Sequence, residues 1–203
     1  MAYKCVLYFV KYPEAGKVKT RLAKSIGDEA AANAYRVLAG SGFRTLKELA
    51  ANEFKVTVMF DPPDKENEIK EWLSGASDYG AQQGNDLGDR LAHAFQSAFE
   101  KDACAVVALG SDTLGLKKEV IEKAFDTLQY YDVAIGPAKD GGYYLIGCKE
   151  MNESLFENIP WSTPDVLKAT LGWIREEGLS HGLLPELEDL DELKILNKRR
   201  GDL

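Results

Sequence analysis

The run Ala105-Val-Val-Ala-Leu-Gly-Ser-Asp112 narrows the choice of fold more than any other stretch of the chain. Its first five side chains are small or branched and apolar, with no polar residue alternating among them. That pattern reads as a strand buried on both faces, the kind found inside a parallel sheet. Its end carries chemistry. In an open α/β sheet the ligand crevice lies beyond the carboxyl ends of the strands, so Asp112 is delivered to a place where a carboxylate can hold a metal.

With 203 residues, the chain has the length of one α/β domain spanning 1–203, large enough to bury roughly 70% of its unfolded surface. No apolar run approaches the ~20 residues that cross a bilayer. The start, Met-Ala-Tyr-Lys-Cys-Val-Leu-Tyr-Phe-Val, runs straight into a strand and has no small-residue cleavage site, so a cytoplasmic protein without membrane attachment is expected. Cys5, Cys104 and Cys148 are odd in number and widely spaced in apolar strand-like contexts, which suits buried, reduced thiols. A net charge of -8 argues against a nucleic-acid partner, because backbone binding needs excess Lys and Arg. Any anionic ligand must therefore meet a local basic enclave.

Such an enclave follows the first predicted strand, Tyr3 to Val10. Lys11, Lys17, Lys19, Arg21 and Lys24 stand against one acid, Glu14. If this part is helical, Val18, Leu22 and Ile26 form its buried stripe and Lys17, Thr20, Arg21 and Lys24 share the other side. A solvated basic face would look the same, yet the loop after strand one of a doubly wound sheet is where phosphates are usually cradled. The spacing is not that of a P-loop, and no G-x-G-x-x-G fingerprint is present. Further on, an Ala-rich helix is expected from Gly27-Asp28 to about Ala51, with Ala30, Ala34, Val37 and Leu38 on one side. A strand over Lys55 to Phe60 and a short helix over Glu66 to Leu73 follow.

Ala81 to Arg90 reads as a polar, glycine-bearing loop before an amphipathic helix, Leu91 to Phe99. Gly84, Asp86, Gly88 and Arg90 either make a site for an anion or a base edge, or Asn85 or Asp86 simply caps the helix. A helix over Lys117 to Leu128 and a strand over Asp132 to Gly136 come next. Asp140-Gly141 between two apolar runs is a hairpin signal; the two adjacent glycines, Gly141 and Gly142, also let a ligand approach the backbone closely. Tyr143 and Tyr144 then alternate between pocket and core. A further helix is expected from Ser162 or Thr163 with Asp165 to Glu177, and Trp161 before it is more often core than ligand platform. Late in the chain, Asp189 and Asp191 share one face if extended, and one of them can meet Asp112 across the crevice.

Magnesium favours hard oxygen ligands, typically one or two carboxylates plus substrate phosphates, and this set of residues meets that need. Transfer from a nucleoside phosphate requires charge neutralisation more than covalent help, so Lys, Arg and a metal can be most of the catalyst. His93 and His181 are the only histidines and form no nucleophile–base arrangement with a Ser or Cys.

Several segments carry a resemblance. Phe9-Val-Lys-Tyr-Pro-Glu-Ala-Gly-Lys-Val-Lys-Thr-Arg-Leu22, Gln83-Gly-Asn-Asp-Leu-Gly-Asp-Arg-Leu91, Gly110-Ser-Asp-Thr113, Gly136 to Gly147, Trp161-Ser-Thr163 and Asp189-Leu-Asp191 look like a bacterial and archaeal family of uncharacterised glycosyltransferase-like proteins. That family is similar to 2-phospholactate guanylyltransferase and falls in the nucleotide-diphospho-sugar transferase superfamily, with the GT-A fold. The resemblance implies a three-layer α/β architecture around a central mixed, mostly parallel sheet, with the nucleotide over the first strand. It implies Asp112 as a ligand of Mg2+ or Mn2+, joined by Asp189 or Asp191, and a phosphate role for Lys17, Lys19 and Arg21. Catalytic candidates are Lys19, Arg21 and Asp112. Binding candidates are Lys11, Gly16, Lys17, Gln83, Gly84, Asp86, Arg90, Gly110, Ser111, Asp140, Gly141, Gly142, Tyr143 and Trp161. The loop lacks the G-x-G-T-R pattern of sugar-phosphate nucleotidyltransferases, which argues against ordinary nucleotide-sugar synthesis. Thr113-Leu114 stands where a proline-bearing pair is expected.

The expectation is therefore a metal-dependent nucleotidyl- or glycosyltransferase with a nucleotide or nucleotide-sugar as partner and a small-molecule acceptor. The competing reading is a nucleotide-binding or regulatory module on the same fold with weak turnover. No sequence feature separates a monomer from a homodimer.

Overall fold

The Ala105–Asp112 run ends the central strand of a seven-stranded sheet. The computed structural model describes residues 2–50 and 54–189. In chain order the elements are β1 (Tyr3–Lys11), α1 (Thr20–Ile26), α2 (Asp28–Ala50), β2 (Phe54–Asp61), α3 (Glu66–Trp72), β3 (Asp78–Ala81), α4 (Leu87–Glu100), β4 (Ala103–Gly110), β5 (Thr113–Leu114), α5 (Lys118–Tyr130), β6 (Val133–Pro137), β7 (Tyr143–Cys148), α6 (Val166–Glu176), β8 (His181–Leu183) and β9 (Glu188–Asp189). The large sheet has the order β3-β2-β1-β4-β7-β6-β8, and β5 with β9 makes a separate ribbon. β1 pairs in parallel with β2 and β4, β2 with β3, and β6 with β8; β7 runs antiparallel between β4 and β6. This is the mixed, mostly parallel sheet expected from the resemblance.

Two helical layers cover the sheet, which is why β4 is apolar on both faces. Val107 and Leu109 pack with Phe43 and Leu46 of α2 and Ile121 and Phe125 of α5. Val106 and Ala108 pack with Leu91 and Phe95 of α4 and Ile174 of α6. Truncating such a fully buried side chain to Ala in a close-packed core costs about 2–5 kcal/mol for a Leu or Ile.

The topology fixes where a ligand can go. From β1 the chain moves outward through α2 to β2 and β3, whereas from β4 it moves the other way through α5 to β6. The connections leaving β1 and β4 diverge, and a crevice opens at their carboxyl ends.

Several expectations are corrected. The first helix begins at Thr20, not near Lys17, because Gly16 (φ 77) and Lys19 (φ 48) are both left-handed and interrupt a helical run. Val18 is buried nonetheless, packed with Ala32, Tyr35 and Ala39. On α2 the buried face is Ala31, Tyr35, Ala39, Phe43 and Leu46, while Ala30 is exposed, Val37 is 62% exposed and Ala34 and Leu38 are half-buried. Tyr35 and Phe43 carry far more apolar area than Ala30 or Val37, so the helix turns its aromatic edge to the core. α4 starts at Leu87, four residues before Leu91, because Asp86 caps it, its Oδ1 accepting from the Asp89 amide at 2.9 Å. Cys5 and Cys148 are buried free thiols, but Cys104 is exposed: at the start of β4 the side chains still alternate, and Ala103 and Ala105 take the inward positions. The short strands β3, β5 and β9 have no apolar run to announce them. Among the described residues no helix is long and apolar enough to cross a membrane.

Candidate functional site: a cleft at the ends of the first and fourth strands

A cleft of about 730 Å³ occupies the crevice. Its floor is the carboxyl ends of β1 and β4, from Phe9 to Lys11 and Gly110 to Asp112. The loop after β1 supplies one wall, with Lys17, Lys19 and Arg21. The β7 side supplies the other, with Asp140, Tyr143 and the 161–166 segment.

Lys19 and Asp112 meet across this floor. Lys19 is the residue before α1, in a left-handed conformation. Its Nζ donates to Asp112 Oδ2 at 2.6 Å; the Lys19 side chain is 8% exposed and that of Asp112 37%. A pair half out of water is held more strongly than a surface pair, and losing either member strands the other charge. Lys17, by contrast, is largely exposed and pairs with Glu14 at 3.0 Å.

Tyr35 fixes this floor from α2. Its hydroxyl accepts the Lys11 amide at 2.9 Å and is hydrogen-bonded to the Ser111 hydroxyl at 2.7 Å. One phenol thus ties the end of β1 to the turn that carries Asp112. Burial pushes its pKa up to about 12, with hydrogen bonds from Ser111 and Lys11 opposing, so the phenol remains a neutral bracket.

A second bracket gathers the outer strands. Gln82 Nε2 donates to the carbonyls of Val10 at 3.1 Å and Met59 at 2.9 Å, linking β1 and β2. Arg90 Nη1 reaches Gln82 Oε1 at 3.3 Å and Asp61 Oδ2 at 3.4 Å, while its Nε reaches the Gly84 carbonyl at 3.3 Å.

On the far wall, Tyr143 faces the cleft and Tyr144 faces the opposite core, its hydroxyl donating to the Pro185 carbonyl at 3.0 Å. The Tyr143 ring meets the Trp161 indole edge-on, with centroids 6.2 Å apart. Its hydroxyl lies buried beside Thr170, and burial pushes its pKa up. Gly88 lets the indole reach α4, because a Cβ there would lie 2.6 Å from Trp161 Nε1. Lys139 to Gly142 form the hairpin turn between β6 and β7, closed by the Ala138 amide on the Gly142 carbonyl.

The structure brings together at the cleft Lys11, Lys17, Lys19, Arg21, Asp86, Arg90, Gly110, Ser111, Asp112, Asp140, Gly142, Tyr143 and Trp161. Gly16, Gln83, Gly84 and Gly141 are not among its lining residues. Gly141 (φ 92) serves a packing role, since a Cβ would stand 2.2 Å from the Pro164 carbonyl. Gly84 closes on Asp89 in the first turn of α4, and Gln83 faces a different cavity, of about 870 Å³. Asp189 pairs by its backbone with Thr113, next to Asp112; Asp191 lies outside the described residues. Tyr35 and Gln82 line the cleft without having been expected there. The phase of α2 was the one available signal for Tyr35.

Among the described residues no group of three or more His, Cys, Asp or Glu is arranged to hold a metal. Magnesium and manganese at phosphate sites do not require one. Asp112 offers a partly exposed carboxylate, and Thr113 Oγ1 beside it is buried with no hydrogen-bond partner among the described residues. Hard oxygens next to lysines fit a divalent cation that arrives with phosphates. His93 offers no base to the cleft, its Nδ1 resting 2.8 Å from the Asp89 carbonyl.

Comparison with known proteins identifies the fold and the family. A Desulfovibrio desulfuricans G20 protein, provisionally described as a nucleotide-diphospho-sugar transferase, is 40% identical in sequence. The match covers 95% of this chain and 84% of that one, with a TM-score of 0.86. The inositol-1-phosphate CTP transferase of T. maritima shares the fold at 14% identity, covering 99% of this chain and 94% of the other, with a TM-score of 0.60. So does glucosyl-3-phosphoglycerate synthase of Mycobacterium tuberculosis, solved with Mn2+ and UDP, at 11% identity, covering 93% and 71%, with a TM-score of 0.59. No protein of curated function matches the chain at a significant level. Residues 45–163 match the family described as "uncharacterized protein conserved in bacteria". With that match extending over more than half its length, the chain belongs to the DUF2064 family and carries the nucleotide-diphospho-sugar transferase fold.

Proposed function

We propose that this chain is a metal-dependent transferase whose donor is a nucleoside triphosphate or a nucleotide-sugar. The observation that carries the reading is the Lys19–Asp112 pair at 2.6 Å, set at the β1/β4 switch point in a cleft shared with Lys11, Lys17 and Arg21. The provisional description of the 40% identical relative points the same way.

Lys19 holds its ammonium against Asp112 where a cation is wanted. When the donor binds, Lys19, Lys17 and Arg21 take the phosphate oxygens, and Asp112 would be the residue to hold a divalent ion, which would supply neutralisation of charge on the departing diphosphate. Tyr35 keeps the Ser111–Asp112 turn and the Lys11 amide in register, so little reorganisation is needed as charge develops. Positioned charges of this kind contribute on the order of 10²–10³ in rate per group. Three free cysteines suit a reducing, cytoplasmic setting.

Isothermal titration with nucleoside triphosphates and nucleotide-sugars, with and without Mg2+ or Mn2+, tests the reading. Metal-dependent binding that Asp112→Ala abolishes is the expected result; equal binding by that variant would remove the metal assignment. Product analysis then separates the chemistries. Attack of the acceptor oxygen on the α-phosphorus releases pyrophosphate, whereas attack on the anomeric carbon releases nucleoside diphosphate. Binding without either product, across acceptors, would mark a regulatory module.

A further inference from the structure

The two edges of the seven-stranded sheet are unlike. β3, at one end, is guarded by charge: Asp78 pairs with Lys101 at 2.9 Å, and Lys70 lies over the Tyr79 ring at 5.6 Å. Charges on an edge strand are a common guard against pairing with another chain. β8, at the other end, has no such guard. From Leu179 to Leu184 the sequence has no Lys, Arg, Asp or Glu, although 29% of the chain is charged. Large apolar side chains are exposed here instead, Leu183 at 52%, Tyr131 at 41% and its neighbour Tyr130 at 80%. We infer that β8 is the contact between two copies of this chain, joined antiparallel about a two-fold axis through Gly182 so that the sheet continues from one copy into the other. The inference stands apart from the transferase reading.

The backbone of this edge is its own complement. Val133 donates to the Ser180 carbonyl at 3.0 Å, and Leu184 donates to the Ile135 carbonyl at 2.8 Å. Backbone groups alternate along a strand, so Ser180, Gly182 and Leu184 address β6, while the N–H and C=O groups of His181 and Leu183 point away from the sheet. With Gly182 on the two-fold axis, His181 of each copy exchanges N–H···O=C bonds with Leu183 of the other. Every outward backbone group of the two strands is then paired.

The side chains favour a second copy over a lone peptide. His181 and Leu183 lie in register with Val133 and Ile135 on the α4–α6 side of the sheet, whereas Gly182 lies with Ala134 on the α2–α5 side. Exposed Leu183 is therefore on one face of the edge and Tyr131 on the other. Tyr131 closes over Gly182, where a Cβ would stand 3.1 Å from its ring. A bound peptide strand would pair the backbone and leave both faces open. A second copy brings a helical layer to each face, because its α5 and α6 pack on opposite sides of its own sheet. On one face Leu183 meets His181 of the partner copy as a cross-strand pair. On the other, the two glycines leave a gap at the axis, flanked by a Tyr131 ring from each copy. Such an isologous contact closes at two copies.

Sedimentation velocity of the full chain over about 1–200 μM, a range that spans the micromolar affinity of a small interface, provides the test. The weight-average mass is expected to rise from that of one chain to that of two and no further. Leu183→Lys puts a charge on the edge at a half-exposed side chain and should weaken association about tenfold or more. Val37→Lys, on the exposed face of α2, should leave association as it is. Hydrogen exchange locates the contact: the His181 and Leu183 amides should slow with rising concentration in the unmodified chain and not in Leu183→Lys. If Leu183→Lys fails to fold, the exchange of the unmodified chain decides alone. The inference is overturned if the chain stays monomeric throughout the range, if the dimer survives Leu183→Lys, or if the mass grows past two copies. It is also overturned if those amides are protected at every concentration, which would mean that another segment of the same chain covers the edge.

Discussion

Two cavities among the described residues contrast, and the larger is the less informative chemically. The first, about 870 Å³, lies between α4 and the β2–β3 edge, with Cys5, Thr57 and Met59 along its floor. Its charges are already matched at the surface, Lys101 with Asp78 at 2.9 Å and Lys55 over the Tyr3 ring at 3.7 Å. The second, about 730 Å³, sits at the strand ends and holds a shielded lysine against a carboxylate beside a phenol bracket and left-handed residues at Lys19 and Ser162. Backbone of that kind in non-glycine residues costs of order 1–3 kcal/mol and concentrates at functional sites. Volume follows from where helices happen to cover a sheet, whereas converging charge has to be maintained.

Variants in the two cavities should therefore separate sharply. Asp112→Ala is expected to lower transferase turnover by about 100-fold or more, measured with saturating donor, while Lys101→Ala leaves turnover intact. Lys19→Met should weaken donor binding about 10–100-fold, because it removes a charged phosphate partner and leaves Asp112 without its counter-ion; titration of the donor reads this directly. Tyr35→Phe leaves the part-buried Lys11 amide and the buried Ser111 hydroxyl short of a partner and should cost about 1–3 kcal/mol of stability in urea unfolding. Lys101→Ala should change stability by no more than ~1 kcal/mol, since its bridge to Asp78 is exposed. The mildest expectation concerns thiols. Burial pushes Cys5 up to about 11 and Cys148 up to about 12, whereas Cys104 is exposed. Alkylation of the folded protein at mildly alkaline pH should modify Cys104 alone; labelling of Cys5 would mean that the larger cavity opens to solvent below its floor.

Sequence made one wall of the cleft legible and hid the supports of the other. Lys11 to Lys24 stand out because they concentrate positive charge in an acidic chain, and Asp112 stands out because it ends an apolar run. Both signals are local. Tyr35 acts on Lys11 and Ser111 from 24 and 76 residues away, and no local pattern connects them; only the aromatic phase of α2 places it inward. Gly141 was ambiguous for a related reason. Its missing side chain serves Pro164, a residue that the turn signal cannot see. Asp86 caps α4 through one carboxylate oxygen and also lines the cleft. The fold itself was readable because β4, β1 and the Gly-bounded turns each carry their own pattern of burial.

The central claim is that donor phosphate and a divalent ion meet at Asp112 in the smaller cleft. Electron paramagnetic resonance of Mn2+ titrated with protein and a nucleoside triphosphate tests it most directly, comparing the unmodified chain with Asp112→Asn and Lys101→Ala. A bound-Mn2+ signal that needs the nucleotide, survives Lys101→Ala and disappears in Asp112→Asn is the predicted result. The same signal persisting in Asp112→Asn would contradict it.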